Sequence, residues 1–226
     1  MAEQRKYLFL DLDGTLLGSR PYFLQAHFTW AFLSYSKNYP LSQKLRALGK
    51  LSKEMRSPNS TSTTQMQRAT QIYAQHFRLE TKKAEADLIQ HVLYTFNKVR
   101  GHFFCYHQAA DFVTWAKQHY TLFLCTNPMW PEAVLHERLI WAGLSKNDFQ
   151  FCTHAQNMSI GKPHAGYYKN ILRQWNLRPE QCLMVGNSVE KDGSCTQLGI
   201  SFLKWSPGLN PSTSFHPLKQ SIEAQL

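Results

Sequence analysis

The chain has 226 residues, 43% hydrophobic and 18% charged, which suits one core domain, or a core with a smaller insert, and excludes global disorder. Its formal net charge is +10, yet the excess is local: residues 17–101 hold 13 Lys and Arg against 4 Asp and Glu, and the remainder holds 12 against 11. No apolar run is long enough to span a bilayer, and the amino-terminal one, short and broken by Asp11 and Asp13, is not expected to act as a signal sequence.

The first element is that run. Tyr7-Leu8-Phe9-Leu10 reads as a buried strand that stops at Asp11-Leu12-Asp13-Gly14-Thr15. Two carboxylates one residue apart repel, so together they call for a cation or a shared proton; the alternative is a surface turn built on Asp-Gly. Residues 22–39 are crowded with aromatics and predict a largely buried helix ended by Pro40. Leu45, Leu48, Leu51 and Met55 predict an amphipathic second helix. A polar tract follows over 57–64, then two more helical faces, one on Met66, Ala69, Ile72, Tyr73 and Phe77, the other on Leu88, Ile89, Val92, Leu93 and Phe96. Residues 17–101 thus read as an all-helical insert that carries the positive charge. Either it attracts an anionic partner or it is a solvated, Lys-rich surface.

Gly101 is the expected hinge. Beyond it strands and helices alternate: a helix on Ala109, Phe112, Val113 and Ala116; a strand over 120–125; a helix opened by Pro131; a short strand over 149–152; a helix on Tyr168, Ile171, Leu172 and Trp175; a strand over 181–185; a helix with Cys195 and Leu198; and a last strand over 200–203. The tail from Ser206, with Pro207, Pro211 and Pro217, predicts an extended wrap or partial disorder. This alternation implies a mostly parallel sheet with helices on both faces. The five cysteines are odd in number and lack zinc-ligand or Cys-x-x-Cys spacing, which argues for buried, reduced thiols and a cytoplasmic setting.

In such a sheet the strand ends share one edge. The first supplies Asp11 and Asp13, the second Thr126 and Asn127, and the 181–185 strand Asn187, with Glu190 and Asp192 just beyond. Gly161-Lys162-Pro163 precedes a helix between them. A nucleophilic carboxylate, an acid/base, hydroxyl and amide donors, a fixed cation and hard oxygen ligands are the parts needed for phosphoryl transfer to a carboxylate.

These four motifs, in this order, resemble those of the haloacid dehalogenase superfamily, and within it a phosphatase-like branch with a helical cap inserted after the first motif. The resemblance implies an α/β fold: a three-layer, Rossmann-like parallel-sheet core over 1–16 and 102–226, and an all-helical cap over 17–101. It implies a phosphohydrolase in which Asp11 attacks phosphorus to form an aspartyl-phosphate. Asp13 would protonate the leaving oxygen and then activate water. Having Asp there, rather than the Tyr typical of true dehalogenases, argues against carbon–halogen cleavage. Thr126, with the backbone amide of Asn127, would hold the phosphoryl oxygens, and Lys162 would balance their charge.

The implied cofactor is Mg²⁺, on Asp11, the Asp13 carbonyl and the fourth motif. There Asn187 stands where the family usually has Asp, so Asp192 or Glu190 is expected to compensate. Arg20 is expected at the cap entrance as a substrate contact. The expected partner is a small phosphorylated substrate such as a sugar phosphate or nucleotide, with no membrane; nucleic acid is the less favoured partner that the basic cap leaves open. Two rival functions share the motifs: a phosphomutase, and a degenerate member whose basic cap docks an acidic partner.

Overall fold

A computed structural model describes residues 7–35, 38–57 and 62–225; positions 58–61 of the polar tract lie outside the described residues. Five strands form one parallel sheet: β1 (Tyr7–Leu10), β4 (Thr121–Leu124), β5 (Phe151–Cys152), β6 (Cys182–Gly186) and β7 (Ser201–Lys204), in the order β5-β4-β1-β6-β7. β1 is central, and its side chains alternate between two apolar layers. Leu8 and Leu10 join the core built with α5 (Ala109–His119) and α6 (Glu132–Trp141). Phe9 packs on the opposite face, against Tyr167, Tyr168 and Ile171 of α7 (Ala165–Trp175). Both faces are therefore covered, which is why β1 and β6 are apolar throughout rather than alternating. All five cysteines are free, and all but Cys105 are buried.

The insert forms four helices, α1 (Leu24–Ser34), α2 (Leu41–Met55), α3 (Gln65–Phe77) and α4 (Thr81–Val99). Thr64 and Gln67 form a reciprocal capping box at the start of α3. The buried Lys44 ammonium donates to the Leu33 carbonyl at 2.6 Å and to the Tyr35 carbonyl at 3.1 Å, closing the end of α1. One of the insert's cations is thus structural.

Four expectations change. The helices of the insert are flanked by an antiparallel ribbon, β2 (Leu17–Ser19) with β3 (Phe103–Cys105), that was not expected; strands of three residues leave no readable alternation. The first helix is shorter than expected and only Ala31 and Phe32 on it are buried, while Tyr22, Phe23 and Trp30 are exposed. The segment with Cys195 is a 3₁₀ helix, Gly193–Leu198, rather than an α-helix. The tail is ordered: α8 (His216–Glu223) starts with Pro217 in its first turn and buries Leu218 and Ile222, while Phe215 packs on Tyr106 and Phe112. Proline is tolerated there because a first-turn N–H has no intrahelical acceptor.

Candidate active site

Ladder bonds continue past the strand ends and align the candidate residues. The Asp11 amide donates to the Val185 carbonyl at 3.0 Å and the Cys125 amide to the Leu10 carbonyl at 2.8 Å. Asp11, Thr126 and Asn187 are therefore carried to the same sheet edge. After Asp11 the chain turns sharply. Gly14 adopts φ +77° and its amide donates to the Leu17 carbonyl at 2.7 Å. A Cβ on Gly14 would be strained there and would overlap the Asn187 amide. Glycine thus lets the Asp13 turn lie directly against Asn187.

Asp11 is buried, and its Oδ1 accepts from Lys162 Nζ at 2.8 Å. The same ammonium pairs with Asp192 Oδ1, and Asp192 Oδ2 accepts from the Ser188 amide at 2.9 Å. A Cβ on Gly186 would fill the space that Asp192 occupies. Burial pushes the Asp11 carboxyl up to about 6, with Lys162 pulling it down and Asp192 raising it further. Burial also pulls the Lys162 ammonium down, but its two carboxylate partners outweigh this and raise it. The trio is therefore a buried Asp–Lys–Asp bridge that fixes the nucleophile candidate.

Thr126 is fixed through its carbonyl, which accepts from Thr153 Oγ1 at 2.7 Å and from the Tyr167 hydroxyl at 3.0 Å. The Asn127 side-chain oxygen is buried without a hydrogen-bond partner and lies against the bare Cα of Gly161. Asp13 sits apart from Asp11's bridge. Its carboxylate, 47% exposed, pairs with Arg138 of α6, which is almost wholly buried.

Two residues in this frame were missed in the sequence. Arg138 follows Val134 by four positions and Leu135 by three, so it occupies the apolar stripe of α6; a cation on a buried face was the available signal. Gln65 is buried at the start of α3, and its amide, oriented to satisfy both neighbours, donates to the Pro128 carbonyl and accepts from the Gly161 amide. With the Gln65 backbone N–H donating to the Met158 carbonyl and Arg68 to the Ser159 carbonyl, it docks the helical insert on the loops that carry Asn127 and Lys162. No local sequence pattern marks Gln65.

Arg20 is exposed and stacks over the Phe104 ring at 5.7 Å instead of entering the site. Among the described residues no three His, Cys, Asp or Glu are gathered as a metal site; the expected metal residues include only two carboxylates as ligands, Asp11 and Asp192, beside the Asp13 carbonyl and Asn187. Asp13's carboxylate turns to Arg138, and each Asp192 oxygen already accepts a hydrogen bond.

A sequence profile described as haloacid dehalogenase-like hydrolase matches residues 6–194. The chain belongs to this family. No curated protein matches it by sequence. Its fold is similar to that of a 2-haloacid dehalogenase from Pseudomonas syringae, at 16% identity and TM-score 0.62 over 98% of this chain and 99% of that one. It is also similar to a predicted phosphoglycolate phosphatase from Haemophilus somnus, at 21% identity and TM-score 0.55 over 89% and 85%. A third similar fold is a mutant haloacid dehalogenase family enzyme from Bacteroides thetaiotaomicron in complex with magnesium and inorganic phosphate, at 14% identity and TM-score 0.56 over 95% and 98%. At these identities the likeness establishes the fold shared by this hydrolase family, and the chemistry rests on the residues themselves.

Proposed function

We propose that this hydrolase is a Mg²⁺-dependent phosphatase that cleaves a phosphomonoester through an aspartyl-phosphate. The observation that carries the reading is the buried Asp11–Lys162–Asp192 bridge beside a second, separately held carboxylate, Asp13. Asp11, with its carboxyl near 6, is mostly ionised at neutral pH and able to attack phosphorus. As the Asp11–phosphorus bond forms and the bond to the leaving oxygen breaks, Asp13 gives its proton to that oxygen and the alcohol departs. Asp13 then takes a proton from water, whose oxygen attacks phosphorus. The Asp11–phosphorus bond breaks, its electron pair returns to the carboxylate, and inorganic phosphate leaves. Lys162, Thr126 and the Asn127 amide stabilise phosphoryl charge, while Arg138 orients Asp13.

The donor chemistry fits a hard divalent cation. Asp11, Asn187 and the Asp13 carbonyl are oxygen donors, and the bare Gly14 Cα lets Asn187 approach the Asp13–Gly14 turn. These three would hold Mg²⁺, and Asp192 would serve it indirectly by fixing Lys162. Bound there, Mg²⁺ would neutralise phosphoryl charge and lower the Asp11 carboxyl. The mutant relative in complex with magnesium and inorganic phosphate supports the same reading. The test is turnover of an aryl phosphate with and without Mg²⁺, alongside Asp11→Asn. Metal-dependent hydrolysis that the substitution abolishes is expected; no turnover over a broad phosphate panel in ample Mg²⁺ overturns the reading.

A further inference from the structure

The cap encloses a cleft of about 810 Å³ between α1 and α2, floored by α3 and α4. This is the size of pockets that take small organic ligands. Its wall is mostly apolar, with Phe28, Leu48, Met66, Val92 and Phe96 among the lining side chains, while Gln25, Thr29, Ser52 and Arg56 add polar groups along it. It opens to solvent along α2, where Leu45 is 47% exposed. A cleft lined mainly by apolar side chains with a few polar groups favours ligands that carry apolar surface. The cleft reaches Asp13 and Arg138, while Asp11, Thr126 and Lys162 lie outside its wall. It therefore meets the catalytic centre at the acid that protonates the leaving oxygen, not at the nucleophile.

We propose that the cap cleft is the leaving-group site, and that the substrates are phosphomonoesters of apolar alcohols. The proposal rests on the phosphatase reading above. It departs from the sugar phosphate or nucleotide expected at the outset, because such leaving groups would bury hydroxyls against Phe28, Val92 and Phe96, which offer no hydrogen-bond partner. The phosphoryl group would lie at Asp11, the ester oxygen at Asp13, and the hydrocarbon would run on between α1 and α2.

A chain-length series reads this directly. Hydrolysis of n-alkyl phosphates from ethyl to octyl is expected to rise about fourfold in kcat/KM per methylene, the gain from burying one CH₂. Glycerol phosphate, matched in length to n-propyl phosphate, is expected to be the poorer substrate. Gly49 lines the cleft on α2, and a Cβ there would meet only open space. Gly49→Phe places a ring in the cleft at a helix position where replacing glycine favours folding, and is expected to lower the octyl-to-ethyl ratio of kcat/KM at least tenfold.

Binding of non-hydrolysable n-alkyl phosphonates, measured by calorimetry, gives the same gradient without turnover. If esters are hydrolysed with no dependence on chain length, or glycerol phosphate is preferred, this proposal falls and the phosphatase reading stands. If phosphonates bind with the gradient, and Gly49→Phe flattens it, but no ester is cleaved, the cleft assignment stands and the phosphatase reading falls. Absence of both sinks both. Comparing the octyl ester as dissolved monomer with the same amphiphile in phosphatidylcholine vesicles distinguishes a free from a membrane-held source, and faster turnover of either form supports the class.

Discussion

Removing the cation from the buried bridge should cost more than removing either anion. In Lys162→Met the side chain keeps most of its length, but Asp11 and Asp192, 9% and 2% exposed in their side chains, are left facing each other without a counter-charge. Breaking a buried pair in this way costs about 3–5 kcal/mol, and for a chain of this size each kcal/mol lowers Tm by about 2–4 °C. The expected loss is therefore about 6–20 °C at pH 7.5, measured by thermal unfolding in EDTA so that metal does not mask it.

The pH dependence carries the sign. Asp11 already titrates near 6, above its ordinary 3.8, and without Lys162 it must move higher. A folded state that binds more protons than the unfolded chain loses stability as pH rises between those two values. The gap between the variant and the native protein should thus narrow on acidification to pH 5, where one of the two carboxylates is protonated. Lys162→Met with Asp192→Asn removes one facing charge and should recover part of the loss. A Tm within 2 °C of the native value at pH 7.5, with no change at pH 5, would refute the buried-bridge reasoning.

Arg138→Met should preserve the packing of α6 and remove a buried guanidinium whose Nε has no partner, so the unfolding free energy should change by about 1 kcal/mol or less. Its kcat should nevertheless fall by about 10–100-fold with an altered pH profile, because Asp13 loses the group that orients it; an unchanged profile would exclude that role. Asn187→Asp should tighten Mg²⁺ on the order of tenfold by adding a charged oxygen, read by metal titration; no change or a loss would show that Asn187 is not a ligand. Phe215→Ala should destabilise by about 3–5 kcal/mol in denaturant unfolding, since the ring is fully buried; a loss below 1 kcal/mol would mean that the tail helix is not part of the core.

The basic insert illustrates how far a charge count reaches. Thirteen Lys and Arg left open a surface for an anion or a merely solvated one, but Lys44 closes α1, and Arg68 pairs with Glu54 at 2.9 Å while reaching the core at Ser159. Those cations serve the fold. The aromatic crowding over 22–39 was similarly ambiguous: Phe32 is core, whereas Phe28 lines the cleft and Trp30 faces solvent. Periodicity identifies an apolar face but not what covers it, and here α1 and α2 leave theirs partly uncovered.

The sequence by itself determined the sheet, its apolar strands and the four strand-end motifs, because those signals are local: a side chain's neighbours along a strand decide its burial, and the chain's order decides which ends share an edge. It thereby put Asp11 and Thr126 at neighbouring strand ends, and the fold sets Lys162 against Asp11. Only the tertiary structure decided the partners. Asp192 closes a bridge with Lys162, Asp13 is held by an arginine 125 positions away, Arg20 leaves for a ring on the ribbon, and Gln65 docks the helical insert. Such pairings depend on distances across the fold that no spacing encodes. The same holds for the hollow between α1 and α2, which exists only as the space that two separately legible helices fail to fill.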